Sequence, residues 1–299
     1  MTSAAPSLLA PQVLIPFVLV TLIWGSTWIV IRDQLSNVPP SWSVTYRFAV
    51  AAIAMFAIAA IRRERLLLRG PAWGFALILG IAQFGFNFNF VYRAEAYITS
   101  GLVAVLFALL IVPNTLLGSI FLGTPVNRRF LAGGGIAMAG IVMMIAHEVD
   151  VANRGAAAVL LGTALTLAGI MSASVANVMQ GSQFARRQSM IVMLAWAMLF
   201  GALAVALYAS VTVGPPQWDN RPAYMMGVLY LGIIGSAITF PLYFGIIRAV
   251  GPGPAAWTSV LIPIIAMAFS TVVEGYLWAP LSIVGGLFAI AGLVVALRR

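Results

Sequence analysis

The sequence predicts an all-α, polytopic membrane protein with ten transmembrane helices, arranged as a 5+5 repeat of inverted topology. Composition is the first reason. Hydrophobic residues make up 62% of the chain and charged residues 8%, whereas a soluble domain carries about a quarter of its residues charged. Length is the second. The apolar runs are about 20 residues long, enough to cross a hydrocarbon core of about 30 Å, and they lack the strict alternation of a membrane barrel. The third is internal similarity. Gly101 to Pro113 is an apolar run with a deep proline, followed by a glycine-rich run from Gly133 to Met143. Ala255 to Pro263 and Gly285 to Val295 repeat that order. The prolines lie 150 positions apart (263 − 113), and Gly140 and Gly292 lie 152 apart (292 − 140).

Ten spans follow in order: 13–31, 42–61, 72–91, 98–121, 129–146, 156–179, 188–209, 223–247, 255–273 and 280–297. The connections are short, and the longest, Ser210 to Pro222, is turn-rich around Gly214-Pro215-Pro216. The first span carries Trp24 and Thr27 one turn apart. The second has Trp42 at its end and Arg47 about a turn and a half inside it, close enough to snorkel outward. In the third, Gly80, Gln83 and Asn87 share one helical face. The fourth is interrupted by Pro113, and the fifth opens on the glycines 133–135, which favour close helix approach. The sixth carries a polar stripe of Thr163, Thr166, Ser174 and Asn177. The eighth brings Ser236, Thr239, Phe240 and Tyr243 to one side. The ninth has Trp257 near one end and Ser259 one turn before Pro263.

Charge gives the orientation. All sixteen basic residues are arginine. With both termini in the cytoplasm, Arg62, Arg63, Arg65, Arg69, Arg128, Arg129, Arg186, Arg187, Arg248, Arg298 and Arg299 face inward. Only Arg32, Arg93, Arg154 and Arg221 face outward, the bias that membrane insertion favours. The arginines are scattered through loops, so the net charge of +9 does not predict nucleic-acid binding. Met1 to Gln12 has no charged leader region, and no cleaved signal peptide is expected. Five spans per half is an odd number, so the halves, 1–147 and 148–299, enter the membrane from opposite sides. That is the architecture of many secondary transporters.

Polar side chains inside spans are costly unless they meet protein partners or water, so they mark candidate sites. Trp24, Thr27, Gln83, Asn87, Pro113, Ser174, Asn177, Ser236, Thr239, Tyr243, Trp257 and Pro263 are the candidates for a central cavity. Serine and threonine also have a plainer role, bonding back to their own helix carbonyls. The amides of Gln83, Asn87 and Asn177 are not expected to find a partner in their own helices. Pro113 and Pro263 release carbonyls that kink a helix or face a cavity. Trp42, Trp73 and Trp278 sit at span ends and read as interface anchors.

There is no cysteine, and the only histidine, His147, lies beside Glu148 and Asp150 at a helix end. No intramembrane acid, nucleophile pair or metal cluster is visible, so neither an enzyme nor a cofactor is expected. An open channel would want polar rings along a continuous pore, whereas polar residues here gather at mid-span.

Several motifs resemble the drug/metabolite transporter superfamily, specifically its EamA-type ten-helix exporters. They are Trp24-Gly-Ser-Thr27, Pro39-Pro40 with Arg47-Phe48, Ala94 to Gly101 through Pro113 with Leu122-Gly123, and Arg248 to Gly251 through Pro263 to Glu274. The family often ends its fourth helix on glutamate, where this chain has Thr124; the second half keeps Glu274. Among these proteins the chain most resembles YddG-like exporters of aromatic amino acids. The resemblance implies a bacterial inner-membrane exporter of small metabolites, with a cavity formed by helices one, three, four, six, eight and nine. Amides, hydroxyls and aromatic rings without a central charge suit a small neutral or zwitterionic substrate with an apolar side chain, such as an aromatic amino acid. Export of drugs or organic cations by the same fold is the alternative, since aromatic walls attract cations too. Lack of a central carboxylate favours facilitated over proton-coupled transport. The sequence leaves oligomeric state open.

Overall fold

Hydrocarbon offers no hydrogen bonds, so a spanning segment must satisfy its backbone internally. The long apolar runs are helical, as this requires. The computed structural model describes residues 10–124, 155–273 and 279–297, together with 126, 128 and most of 132–143. Arg129, His147, Glu148, Asp150, Arg154, Glu274, Trp278, Arg298 and Arg299 lie outside the described residues.

Seven helices among the described residues are long and apolar enough to cross a membrane: α1 (Pro11–Gln34), α2 (Pro40–Ile61), α3 (Ala72–Ala94), α4 (Ser100–Leu122), α5 (Ala156–Gly181), α6 (Met190–Thr212) and α7 (Pro222–Val250). Two more follow, α8 (Thr258–Val273) and α9 (Pro280–Leu297). Of the expected fifth span, the described residues 132–136 and 138–140 are helical. The ninth span is shorter than expected. Gly251 adopts φ +89°, a short helix covers Pro252–Ala255, and a turn at Ala256–Trp257 separates it from the 16 residues of α8. Among the described residues, seven of the ten expected spans meet the length criterion. The described residues contain no strand.

Helix starts follow local chemistry. Proline opens α1, α2 and α7, where a missing N–H costs nothing. Thr99 caps α4 by accepting from Leu102 N, and Ser189 caps α6 by accepting from Val192 N. Gly123 ends α4 at φ +69°, a left-handed cap that other residues adopt at a cost.

Partners are matched across the chain. α1 packs on α7 and α8, while α5 packs on α3 and α4. α2 packs on α7, while α6 packs on α3; α2 also lies along α6, and α4 along α8. Exchanging α1–α4 with α5–α8 leaves this set of pairings unchanged. Two of the seams are tight. A Cβ on Gly80 of α3 would sit 2.3 Å from the Ala197 carbonyl oxygen of α6, and one on Gly232 of α7 would sit 3.0 Å from the Arg47 carbonyl oxygen of α2. Without a hydrophobic drive between helices in lipid, such small-residue contacts carry the packing.

The buried cluster runs through α1 to α8 and includes Val20, Phe48, Phe84, Leu106, Met198 and Phe240. Outward-facing Ile53, Ile120, Val211 and Val272 are 70% exposed or more. Large apolar side chains this open belong against lipid. Trp42, expected at the interface, is buried and stacks on Tyr46 with ring centroids 6.0 Å apart. Trp73 is half-buried against Trp196 and Phe200.

Loops gather at two ends. At one, Arg221 binds Asp219, Asp33 and Ser36, and Asn37 donates to Asp219. At the other, Ser189 bonds Glu64, Trp196 donates to the Leu66 carbonyl, and Arg248 donates to Gln180.

Candidate functional site

A cavity of about 80 Å³, room for several waters, lies between α1, α2, α3, α4, α5, α7 and α8. α1 contributes Trp24, Thr27, Trp28 and Ile31, a single stripe at helical spacing. The Trp24 ring packs against Phe240 at 5.2 Å and Tyr243 at 4.9 Å, and its Nε1 donates to the Gly235 carbonyl at 3.1 Å. Trp28 lies against Phe107 of α4, and its buried Nε1 has no hydrogen-bond partner among the described residues.

α3 and α7 reach the cavity through distorted helix. Gly80–Asn87 in α3 and Tyr230–Ile238 in α7 are π-helical, and they begin 150 positions apart, the offset of Pro113 and Pro263. Such segments are rare and disturb the regular hydrogen-bond ladder. Their carbonyls take up side chains instead. Leu231 O accepts from Ser236 at 2.8 Å, Ile234 O from Thr239 at 2.6 Å, and Gln83 O from the Asn87 amide at 3.4 Å. Asn87 therefore does use its own helix, contrary to expectation, through a bond back to the carbonyl four residues earlier. Its Oδ1 and Gln83 Oε1 remain buried without a partner among the described residues.

Of the twelve candidate residues, Trp24, Thr27, Gln83, Asn87, Asn177 and Tyr243 line the cavity. The other six do not. Ser174 is buried one residue past the lining Ala173 and is not part of the lining. Ser236 and Thr239 are held by the π-helical carbonyls. Trp257 packs in a small apolar cluster with Ala108, Ile111 and Ala256. Pro263 is buried within α8, and Pro113 sits just beyond a 3₁₀ segment, Ala108–Leu110, with the lining Leu110 at its end.

Two further residues were not among the twelve candidates. Asn114, fully buried beside Pro113, accepts from Asn177 Nδ2 at 3.3 Å and donates to the Pro252 carbonyl at 3.3 Å. Asn177 also reaches the Tyr243 hydroxyl at 3.5 Å. An amide inside an apolar run, one residue past a proline, was the available signal. The second is Arg47. It does not snorkel outward but turns inward, 1% exposed, and lines the cavity. Its Nε donates to Ser236 Oγ at 3.0 Å, and its guanidinium lies 4.4 Å from the Phe88 ring centroid. The reason is the close packing of α2 on α7, which supplies an acceptor where lipid has none.

The EamA-like transporter family matches residues 12–146 and 159–298. "Protein PagO" of Salmonella typhimurium is 23% identical over 87% of this chain and 84% of its own length. A "Probable amino-acid metabolite efflux pump" of Escherichia coli is 22% identical over 93% and 92%. The "Uncharacterized inner membrane transporter YedA" of the same species is 29% identical over 85% and 80%. A crystal structure with 18% identity superposes with a TM-score of 0.71 over 95% of each chain, which shows the shared fold. With a match that covers both halves of a multi-pass helical chain, the protein belongs to the EamA-like transporter family.

Proposed function

We propose that this transporter exports small amphipathic metabolites, amino acids with aromatic side chains among them, by alternating access at the central cavity. The observation that carries this reading is the lining: unused amide oxygens of Gln83 and Asn87 flanked by the rings of Trp24, Trp28, Phe88 and Phe240. Polar groups without partners orient a substrate's polar end, and aromatic faces accept the rest. The relatives named as amino-acid metabolite efflux pumps agree with it.

Alternation calls for two related halves, and we assign residues 1–147 and 148–299 to them as five-helix units of inverted topology. The exchange-invariant packing and the matched π-helical segments support that division. A site between such halves opens to either side by equivalent rearrangements. The arginine bias supports an orientation with both termini in the cytoplasm of a bacterial inner membrane. In keeping with it, Arg32, Arg93 and Arg221 lie at one end of the helices and Arg62 and Arg187 at the other.

The test is counterflow of labelled phenylalanine in proteoliposomes. Saturable exchange above empty liposomes is the expected result, and flux no greater than that control refutes the reading. Among the described residues no carboxylate lines the cavity, so an imposed pH gradient should leave the exchange rate unchanged; a strong gradient dependence would show proton coupling instead.

A further inference from the structure

Arg47 poses an accounting problem. A guanidinium has five N–H donors, and here only Nε makes a good bond, to Ser236. Nη1 meets the Tyr92 hydroxyl at 3.4 Å and Nη2 the Gly235 carbonyl at 3.5 Å, both at the limit of hydrogen bonding. Among the described residues no carboxylate lies within ion-pair distance of it. Phe88 and Phe48 cover its face at 4.4 and 5.3 Å. A buried cation usually sits with a counter-charge, because only a partner offsets its desolvation. This one opens on the cavity.

The lining is also polarised. Arg47 and the free Trp28 N–H are donors, while Gln83 Oε1 and Asn87 Oδ1 are acceptors without partners. The position 150 residues after Arg47 is Ala197, so the charge is not copied in the second half of the chain.

We infer that Arg47 binds the carboxylate of the transported molecule, which makes the carrier selective for carboxylate-bearing amphipathic substrates over organic cations. The fork geometry of the guanidinium suits a bidentate carboxylate, and its anchoring through Nε leaves Nη1 and Nη2 to make that pair. The amide oxygens of Gln83 and Asn87 then take up an ammonium group. This rests on the export reading and narrows it: a substrate of the same shape without the acid should be rejected.

A ring-matched set tests it on the purified full-length protein: phenylalanine, 3-phenylpropionate, phenylalaninamide and phenethylamine, titrated by tryptophan fluorescence. Both acids should bind, and the amide and amine at least about tenfold more weakly, the loss of one charge-assisted pair. Arg47→Met should abolish that difference and Arg47→Lys should keep part of it. The wild-type ranking stands even where a variant fails to fold. Equal binding of phenethylamine and phenylpropionate overturns the inference, and so does failure of both acids to bind. Selective acid binding without phenylalanine counterflow would refute the export reading alone; counterflow with equal competition by the amide would refute the assignment of Arg47 alone.

Discussion

Asn87 and Asn114 divide the work of buried amides. Asn87 spends its amino group on Gln83 O and leaves its oxygen buried without a partner among the described residues. Replacing it with leucine should leave the unfolding temperature within about 2 °C yet lower phenylalanine affinity about tenfold, as measured by counterflow; undiminished transport would remove it from the path. Asn114 is the opposite case. Both its ends are used, to Asn177 and Pro252, so Asn114→Ala strands buried partners and should cost about 1–3 kcal/mol in thermal unfolding. Helical spacing made Gln83, Asn87, Trp24 and Thr27 legible in the sequence, because a shared face follows from 3.6 residues per turn. The inward turn of Arg47 was not legible. It depends on Ser236 and Phe88, acceptors and rings supplied by two other helices, which no local pattern encodes.

Element boundaries were the most legible level of all. Apolar length fixes a spanning helix in lipid more strictly than propensity does in water, and the expected spans over α1 to α7 match within a few residues. What escaped was conformation inside the elements. A π-helical turn has no composition signature, so the segments that present carbonyls to Ser236 and Thr239 were invisible, and with them the reason those two residues face a backbone instead of the cavity. The shortening of the ninth span has a visible cause only in retrospect, the Gly251–Pro254 run that turns the chain before α8. Helix contacts give a sharper test. Gly80→Ala should destabilise by about 1–3 kcal/mol in detergent unfolding, since its methyl would meet the Ala197 carbonyl. Gly74→Ala, in the same helix with open space around it, should be neutral or stabilise by up to about 1 kcal/mol.

At the scale of the molecule, the loops after α1 and α6 are tied through Asp219. The Arg221 backbone N–H at 2.9 Å, then its guanidinium and Asn37, hold that carboxyl below its ordinary range against some desolvation. The folded state binds the acid's proton less readily than the unfolded chain. The tie is therefore at full strength at neutral pH and weakens as pH falls through the carboxylate range. Asp219→Asn should unfold at a lower temperature than wild type at neutral pH, and the gap should narrow as pH falls through the carboxylate range; a constant gap would mean the charge is irrelevant.

The glycine contacts sort the seams into two kinds. Along α3–α6 and α2–α7, glycine meets main chain as well as side chains: Gly80 at Ala197 O, Gly201 at Phe84 Cβ and Gly80 O, Gly232 at Val50 and Arg47 O. Along α1–α8 and α4–α5 it meets side chains instead, Gly25 at Ile265 and Gly181 at Leu122. Peptide backbone has no rotamers with which to yield, whereas an isoleucine or leucine can swing aside. Under the proposed alternating access, the moving seams are expected to be the second pair, with the first pair acting as the fixed frame on which the doors are hung.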